Sequence, residues 1–207
     1  MAWHLDDTDL PDWELDDAEL RDARSVKWTL PGPDVLPAWV AEMDVRPARV
    51  VRMALDDALD RGILGYPAED RLNGLPEATA GFVERRFGLT VDPARVIGCG
   101  DVMAGVRLAL EVLCDPAPVV VPTPAYPPFL QIPAVTGREL ITVPCRGSEL
   151  DVEAIGVALA AGGRTVLLSS TRNPLGRVLT GAEQAALRGG VLAHGARVIS
   201  DEIHAPL

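Results

Sequence analysis

From Arg95 onward the chain alternates short apolar runs with stretches of helical period. That alternation restricts it to an α/β fold with a largely parallel sheet. Strands are expected at about 95–98, 118–122, 139–143, 165–170 and 197–201, with helices at about 101–113, 151–161 and 181–194. Gly189-Gly190 interrupts the last helix. Each glycine there is less favourable than alanine by about 1 kcal/mol, which predicts a break or a frayed turn. Open parallel sheets take ligands beyond the carboxyl ends of their strands. The residues that follow each strand are therefore the candidates for function.

Upstream of Arg95 the pattern differs. Residues 1–47 are rich in Trp, Pro and Asp, and Pro31-Gly32-Pro33 and Pro37 interrupt any regular element, so this segment is expected to be an arm. After Pro47, the positions Val50, Val51, Ala54, Leu55, Ala58 and Leu59 recur at helical spacing and stop at Gly62. A second helix is expected from Leu75 to Phe87, ending at Gly88. The loop between the two helices presents Tyr66.

Composition removes several classes of function. With 207 residues, 48% of them hydrophobic, the chain can bury a core. The net charge of −11 argues against nonspecific binding to nucleic acid or to an anionic membrane. No apolar run reaches the roughly 18 residues of a membrane span, and the acidic start lacks the layout of a secretory signal. A cytoplasmic protein is the expectation. Cys99, Cys114 and Cys145 form no C-x-x-C pair and no metal spacing. They read as buried small apolar residues, with no metal site.

Four segments carry chemistry. Gly98-Cys99-Gly100-Asp101-Val102 opens a helix, where backbone amides can converge on an anion, or where Asp101 can simply cap a tight turn. The glycine spacing does not fit a dinucleotide fingerprint. Pro122–Phe129 is too proline-rich to continue a strand and holds Tyr126 at the sheet edge, to stack on a flat ligand or to cover the core. Asn173 and Asp201 end two strands and converge on that edge if the sheet is parallel. His204 follows three residues after Asp201, where a carboxylate neighbour is as compatible with a core hydrogen bond as with a site. His4 and His194 have no partner legible in the sequence.

In chain order, Val26-Lys27-Trp28, Asp34-Val35-Leu36-Pro37, Trp39-Val40-Ala41-Glu42-Met43-Asp44, Gly65-Tyr66-Pro67, Pro124-Ala125-Tyr126-Pro127-Pro128-Phe129, Asn173-Pro174-Leu175-Gly176-Arg177-Val178 and Ser200-Asp201-Glu202-Ile203-His204 form a recognisable set. On these motifs the chain resembles the amino-terminal half of fold-type I pyridoxal phosphate enzymes, aminotransferase class I/II. Within them it is most similar to the cystathionine and cysteine-S-conjugate β-lyase branch. The resemblance implies a three-layer α/β/α large domain over 48–207, with 1–47 as arm and small-domain segment. It implies pyridoxal phosphate as cofactor, an amino-acid substrate and a homodimer. By resemblance, Asp201 would accept a hydrogen bond from the pyridine nitrogen, Asn173 would donate to the phenolic oxygen with His204 beside it, and Tyr126 would stack on the ring. The amides of Asp101 and Val102 would hold the phosphate, and Tyr66 would reach the cofactor of the partner subunit. Val40 and Ala41 would lie near the substrate carboxylate. The chain departs from the family at Ser170-Thr171-Arg172, where Asn-Pro-His is frequent.

A pyridoxal enzyme needs a Schiff-base lysine, and Lys27, the only lysine here, falls on the arm motif. The catalytic lysine is therefore expected beyond Leu207. The chain reads as a fragment of a longer enzyme that is probed by its products: a β-lyase releases pyruvate from an S-substituted cysteine unaided, whereas an aminotransferase requires an added keto acid. The reading of another class is an inactive remnant or a dimerisation module. The isolated 207-residue chain is expected to be inactive, poorly stable and prone to associate through uncovered apolar edges.

Overall fold

The computed structural model describes residues 14–66 and 74–206. The chain divides into two compact units, Met1–Pro67 and Ala68–Leu207.

In the first unit, helices α1 (Asp17–Asp22), α2 (Val26–Thr29) and α3 (Arg49–Asp60) are joined by irregular chain. The prolines do keep residues 31–44 out of regular structure, but α1 and α2 were not legible in the sequence. Helix α1 is secured by a capping box between Asp16 and Glu19. The arm also has its own anchor. Lys27 and Trp28 are buried, and Asp44 accepts from Lys27 Nζ at 2.7 Å and from Trp28 Nε1 at 2.9 Å. These donors hold the Asp44 carboxyl below its ordinary pKa, with the Lys27 hydrogen bond the larger cause and the Trp28 bond next.

The second unit opens with α4 (Leu75–Phe87), which ends at Gly88 in the left-handed conformation expected of a terminating glycine. Then follow α5 (Val102–Leu113), β1 (Val119–Thr123), a 3₁₀ turn at Pro127–Leu130, α6 (Ile132–Val135), β2 (Leu140–Pro144), α7 (Val152–Ala160), β3 (Thr165–Ser169), α8 (Gly181–Ala193) and β4 (Arg197–Asp201). The four strands are all parallel, in the order β2-β1-β3-β4. Successive side chains of a strand face opposite ways, and here each face finds a cover. Val120, Val166 and Leu168 pack with Ile155 and Leu159 of α7 and Leu187 and Val191 of α8. Val119, Val121 and Leu167 pack with Val106 and Leu110 of α5 and with Phe129 and Ile132. The result is the parallel α/β fold that the alternating pattern predicts, with the α/β/α layering that the resemblance implies. Helix α5 lacks a terminal glycine. Instead Arg138 donates to the carbonyl of Leu110 in the last turn of α5 and to those of Cys114 and Asp115 just beyond its end.

Three expectations are corrected. Residues 95–98 do not form a strand: a 3₁₀ turn covers Pro93–Arg95 and no ladder follows it. A strand requires a partner, and among the described residues none pairs there. Helix α8 runs unbroken through Gly189 and Gly190. Burial of Leu187 and Val191, together with the Thr180–Glu183 capping box, outweighs the glycine cost. Of the cysteines, only Cys114 is buried; Cys99 is exposed on the loop before α5, where its thiol donates to the Asp101 carbonyl at 3.3 Å, and Cys145 is half-buried.

Candidate active site

The order β2-β1-β3-β4 determines where a ligand can enter. The chain leaves β1 towards the face that carries Phe129 and Ile132, and leaves β3 towards the face that carries Leu179 and Leu187. Adjacent strands whose exits diverge in this way leave a crevice at their carboxyl ends. The ladder shows the divergence directly. Strands β1 and β3 pair only at Val119↔Thr165 and Val120↔Val166 and then part. Tyr126 follows β1, Asn173 follows β3 and Asp201 ends β4, so the parallel sheet brings all three to one edge.

Helix α5 enters from the same side. It packs on the β1–β3 face, and the short link 114–118 returns the chain to the start of β1, which directs the amino end of α5 toward the carboxyl edge of the strands. Asp101 caps it, its Oδ1 accepting from the Ala104 amide at 2.8 Å, while its carbonyl accepts from the Gly105 amide. The amides of Val102 and Met103 have no partner among the described residues. A Cβ at Gly105 would lie 3.1 Å from Cys99 Sγ, so any larger residue there would need that side chain to give way.

Tyr126 is 36% exposed and meets buried Phe129 edge-to-face, with centroids 5.6 Å apart and planes at 86°. It thus touches the core and keeps part of its ring open. Asp201 is only 8% exposed; its Oδ1 accepts from the Ile203 amide at 3.0 Å, and its Oδ2 has no partner among the described residues. Asn173 is positioned by its own amide, which donates to Ser169 Oγ at 2.9 Å, and its side chain makes no described hydrogen bond. Asn173 and His204 line one open pocket of about 360 Å³ with Thr171, Arg172, Pro174 and Gly176. Asp101, Val102, Tyr126 and Asp201 do not line that pocket. His194 caps α8, with Nδ1 at 2.8 Å from the Gly190 carbonyl oxygen, and His4 lies outside the described residues.

Val40, Ala41 and Tyr66 belong to the first unit. Trp39 donates to the Lys27 carbonyl at 3.2 Å and Lys27 Nζ to the Glu42 carbonyl at 2.8 Å, which fixes both ends of the short Val40-Ala41 segment. Tyr66 is fully exposed. Lys27 is committed to Asp44 and Glu42, in keeping with its place on the arm.

Two contributors were missed in the sequence. Arg172 is 3% exposed, with Nη2 at 3.3 Å from Cys145 Sγ and Nη1 buried without a hydrogen bond; nothing in the sequence marks it as buried. Glu183 accepts from both guanidinium nitrogens of Arg177, at 2.7 and 2.9 Å, and from the amides of Thr180 and Leu150. The Arg177 pair, first among these causes, holds the Glu183 carboxyl down at about 2. The spacing of Thr180 and Glu183 is a capping box that could have been read in advance.

This architecture has relatives. The family model for aminotransferase class I and II matches residues 40–207. A cystathionine β-lyase of Corynebacterium glutamicum is 40% identical over 190 residues, covering 91% of this chain and 50% of that protein. A valine–pyruvate aminotransferase of Mycobacterium tuberculosis is 32% identical over 158 residues, covering 74% of this chain and 40% of that protein. The crystal structure of a proposed PLP-dependent β-cystathionase from Corynebacterium diphtheriae superposes with a TM-score of 0.87 at 35% identity, covering 95% of this chain and 52% of that one. The chain spans about half the length of the curated relatives it matches. It belongs to the aminotransferase class I and II family.

Proposed function

We propose that this chain forms the cofactor-holding part of a pyridoxal phosphate-dependent carbon–sulfur β-lyase that acts on S-substituted cysteines such as cystathionine. One observation carries this: three kinds of polar group at one sheet edge have no partners among the described residues, namely Asp201 Oδ2, the Asn173 side-chain amide and the amides of Val102 and Met103. A carboxylate acceptor, an amide donor and an anion-binding helix end are the complement of a protonated pyridine nitrogen, a phenolic oxygen and a phosphate. The β-lyase relative at 40% identity supports the choice of reaction.

When bound, pyridoxal phosphate supplies an electron sink for bond cleavage at the substrate α-carbon. Asp201 would accept a hydrogen bond from the pyridine nitrogen and favour its protonated form, and the burial of its carboxylate would strengthen that bond. Asn173 donates to the phenolic oxygen, with His204 beside it in the same pocket. Tyr126 offers its open ring surface to the flat heterocycle. Asp101 Oδ1 is taken up in capping α5, where it accepts from the Ala104 amide; its own amide and that of Val102 would serve as donors to the phosphate. By the same resemblance Val40 and Ala41 would border the substrate carboxylate. Lys27 is held by Asp44 and Glu42, so we assign the lysine that would bind the cofactor to a part of the protein outside these 207 residues. We further propose a cytoplasmic homodimer in which Tyr66 reaches the cofactor phosphate of the partner subunit, with 1–47 as arm and small-domain segment and 48–207 as the large domain.

Transamination on the same residues is the second reading, supported by the aminotransferase relative. Incubating the natively expressed protein with cystathionine separates the two. Pyruvate formed without an added keto acid supports the lyase; strict dependence on a keto acid refutes it in favour of transamination.

A further inference from the structure

The Asn173 side chain can meet a ring oxygen only if the backbone that carries it stays in place. Strand β3 ends at Ser169, so residues 170–178 have no ladder to hold them. What holds them is a closed set of contacts. Ser170 donates to the Asp201 carbonyl at 2.7 Å, which ties the loop to the end of β4. The loop closes on itself where the Arg172 amide donates to the Arg177 carbonyl and the Gly176 amide to the Arg172 carbonyl, at 2.8 and 2.6 Å. Gly176 sits at φ +63°, a conformation that most side chains resist. The returning limb then needs a fixed post, and it has one. Arg177 forks onto Glu183 of α8 through two hydrogen bonds and donates to the Ser148 carbonyl at 3.1 Å. Glu183 is itself immobilised by the Leu150 and Thr180 amides and by the Thr180 hydroxyl.

From these contacts we infer that Arg177 and Glu183 are positioning residues for Asn173: through the Arg172–Arg177 closure they set where its amide points. The inference rests on the proposed contact between Asn173 and the phenolic oxygen. Bidentate geometry matters here, because a planar fork on a carboxylate fixes direction as well as distance. An ordinary helix cap would need only Thr180 and Glu183. The addition of Arg177 carries that rigidity across to the loop.

The test uses the natively expressed protein and has two arms. In the first, amide hydrogen exchange is followed in cofactor-free protein over residues 172–176. Glu183→Gln and Arg177→Met should each accelerate exchange at Arg172 and Gly176 by about tenfold or more. Thr180→Ala, which loses the hydroxyl that also bonds Glu183 but keeps both guanidinium bonds of the fork, should accelerate exchange there by much less than the fork variants. If Glu183→Gln does not accumulate, Arg177→Lys keeps the charge and removes the fork. Unchanged exchange in the fork variants, or equal acceleration in Thr180→Ala, overturns the inference whatever the cofactor does.

In the second arm, pyridoxal phosphate is bound and the pH midpoint of its visible absorption is measured. A lost donor to the phenolic oxygen disfavours the deprotonated form, so Asn173→Ala should raise the midpoint by about one pH unit. The fork variants should raise it by a substantial part of that. A shift with Asn173→Ala but none with the fork variants refutes the positioning role alone. No shift with Asn173→Ala refutes the reading of Asn173 on which it rests.

Discussion

Replacing Glu183 by Gln removes a carboxylate that holds an arginine, two amides and a hydroxyl at once. Its pKa stands at about 2 against an ordinary 4.5, with the Arg177 hydrogen bonds the largest cause. At about 1.4 kcal/mol per pH unit that depression corresponds to about 3 kcal/mol. The side chain is 14% exposed and its Arg177 partner 22%, and screening at the protein surface reduces the contribution to about 1 to 2 kcal/mol. The sign follows from the depressed value. The contribution is complete above about pH 4.5 and is lost as pH falls through about 2. Glutamine does not ionise, so the variant lacks this dependence. Urea denaturation midpoints of natively expressed wild type and Glu183→Gln should therefore differ by about 1 to 2 kcal/mol at pH 7. The gap should shrink steadily below pH 4.5. Asp44 and Asp151, also depressed by their donors, are common to both proteins and cancel in the comparison. Curves that stay parallel from pH 7 to pH 3 would refute the claim that Glu183 titrates as an anchored carboxylate.

Other perturbations probe separate parts of the fold. Gly163→Ala would place a Cβ 2.6 Å from Val120 Cγ2 and 3.0 Å from the Ala158 carbonyl oxygen, and should lower stability by about 1 to 3 kcal/mol, measured as a fall in the urea midpoint. Leu110→Ala removes a side chain with no exposed surface from the α5 face of the sheet and should cost about 2 to 5 kcal/mol in the same assay. Arg138→Met removes the guanidinium donor to the Leu110 and Cys114 carbonyls and should raise hydrogen exchange selectively in the last turn of α5; exchange that rises nowhere would contradict its capping role.

Much of the sheet was legible because each strand is short, apolar and bounded by turn residues: Val119–Thr123, Leu140–Pro144, Thr165–Ser169 and Arg197–Asp201 all fall within two residues of the expected limits. The expected strand at 95–98 shows the limit of such reasoning. Val96 and Ile97 have the right composition, yet pairing is a property of neighbours, which local pattern does not carry. Gly189-Gly190 fails as a break for the same reason, since Leu187 and Val191 are held by the sheet rather than by helix propensity. The residues with chemistry were legible as motifs, but the supports were not. Arg172 is buried against Cys145, 27 positions away, and Arg177 reaches Glu183 across the start of α8; both contacts exist only once the chain has folded.

The central proposal is that these residues hold pyridoxal phosphate for a lysine outside this 207-residue sequence. The most direct test is the intact mass of the natively expressed protein after borohydride reduction, with the modified residue mapped. The account predicts a protein of about twice 22.0 kDa carrying one pyridoxyl adduct on a lysine other than Lys27. An unmodified protein of 22.0 kDa, or an adduct on Lys27, would contradict it.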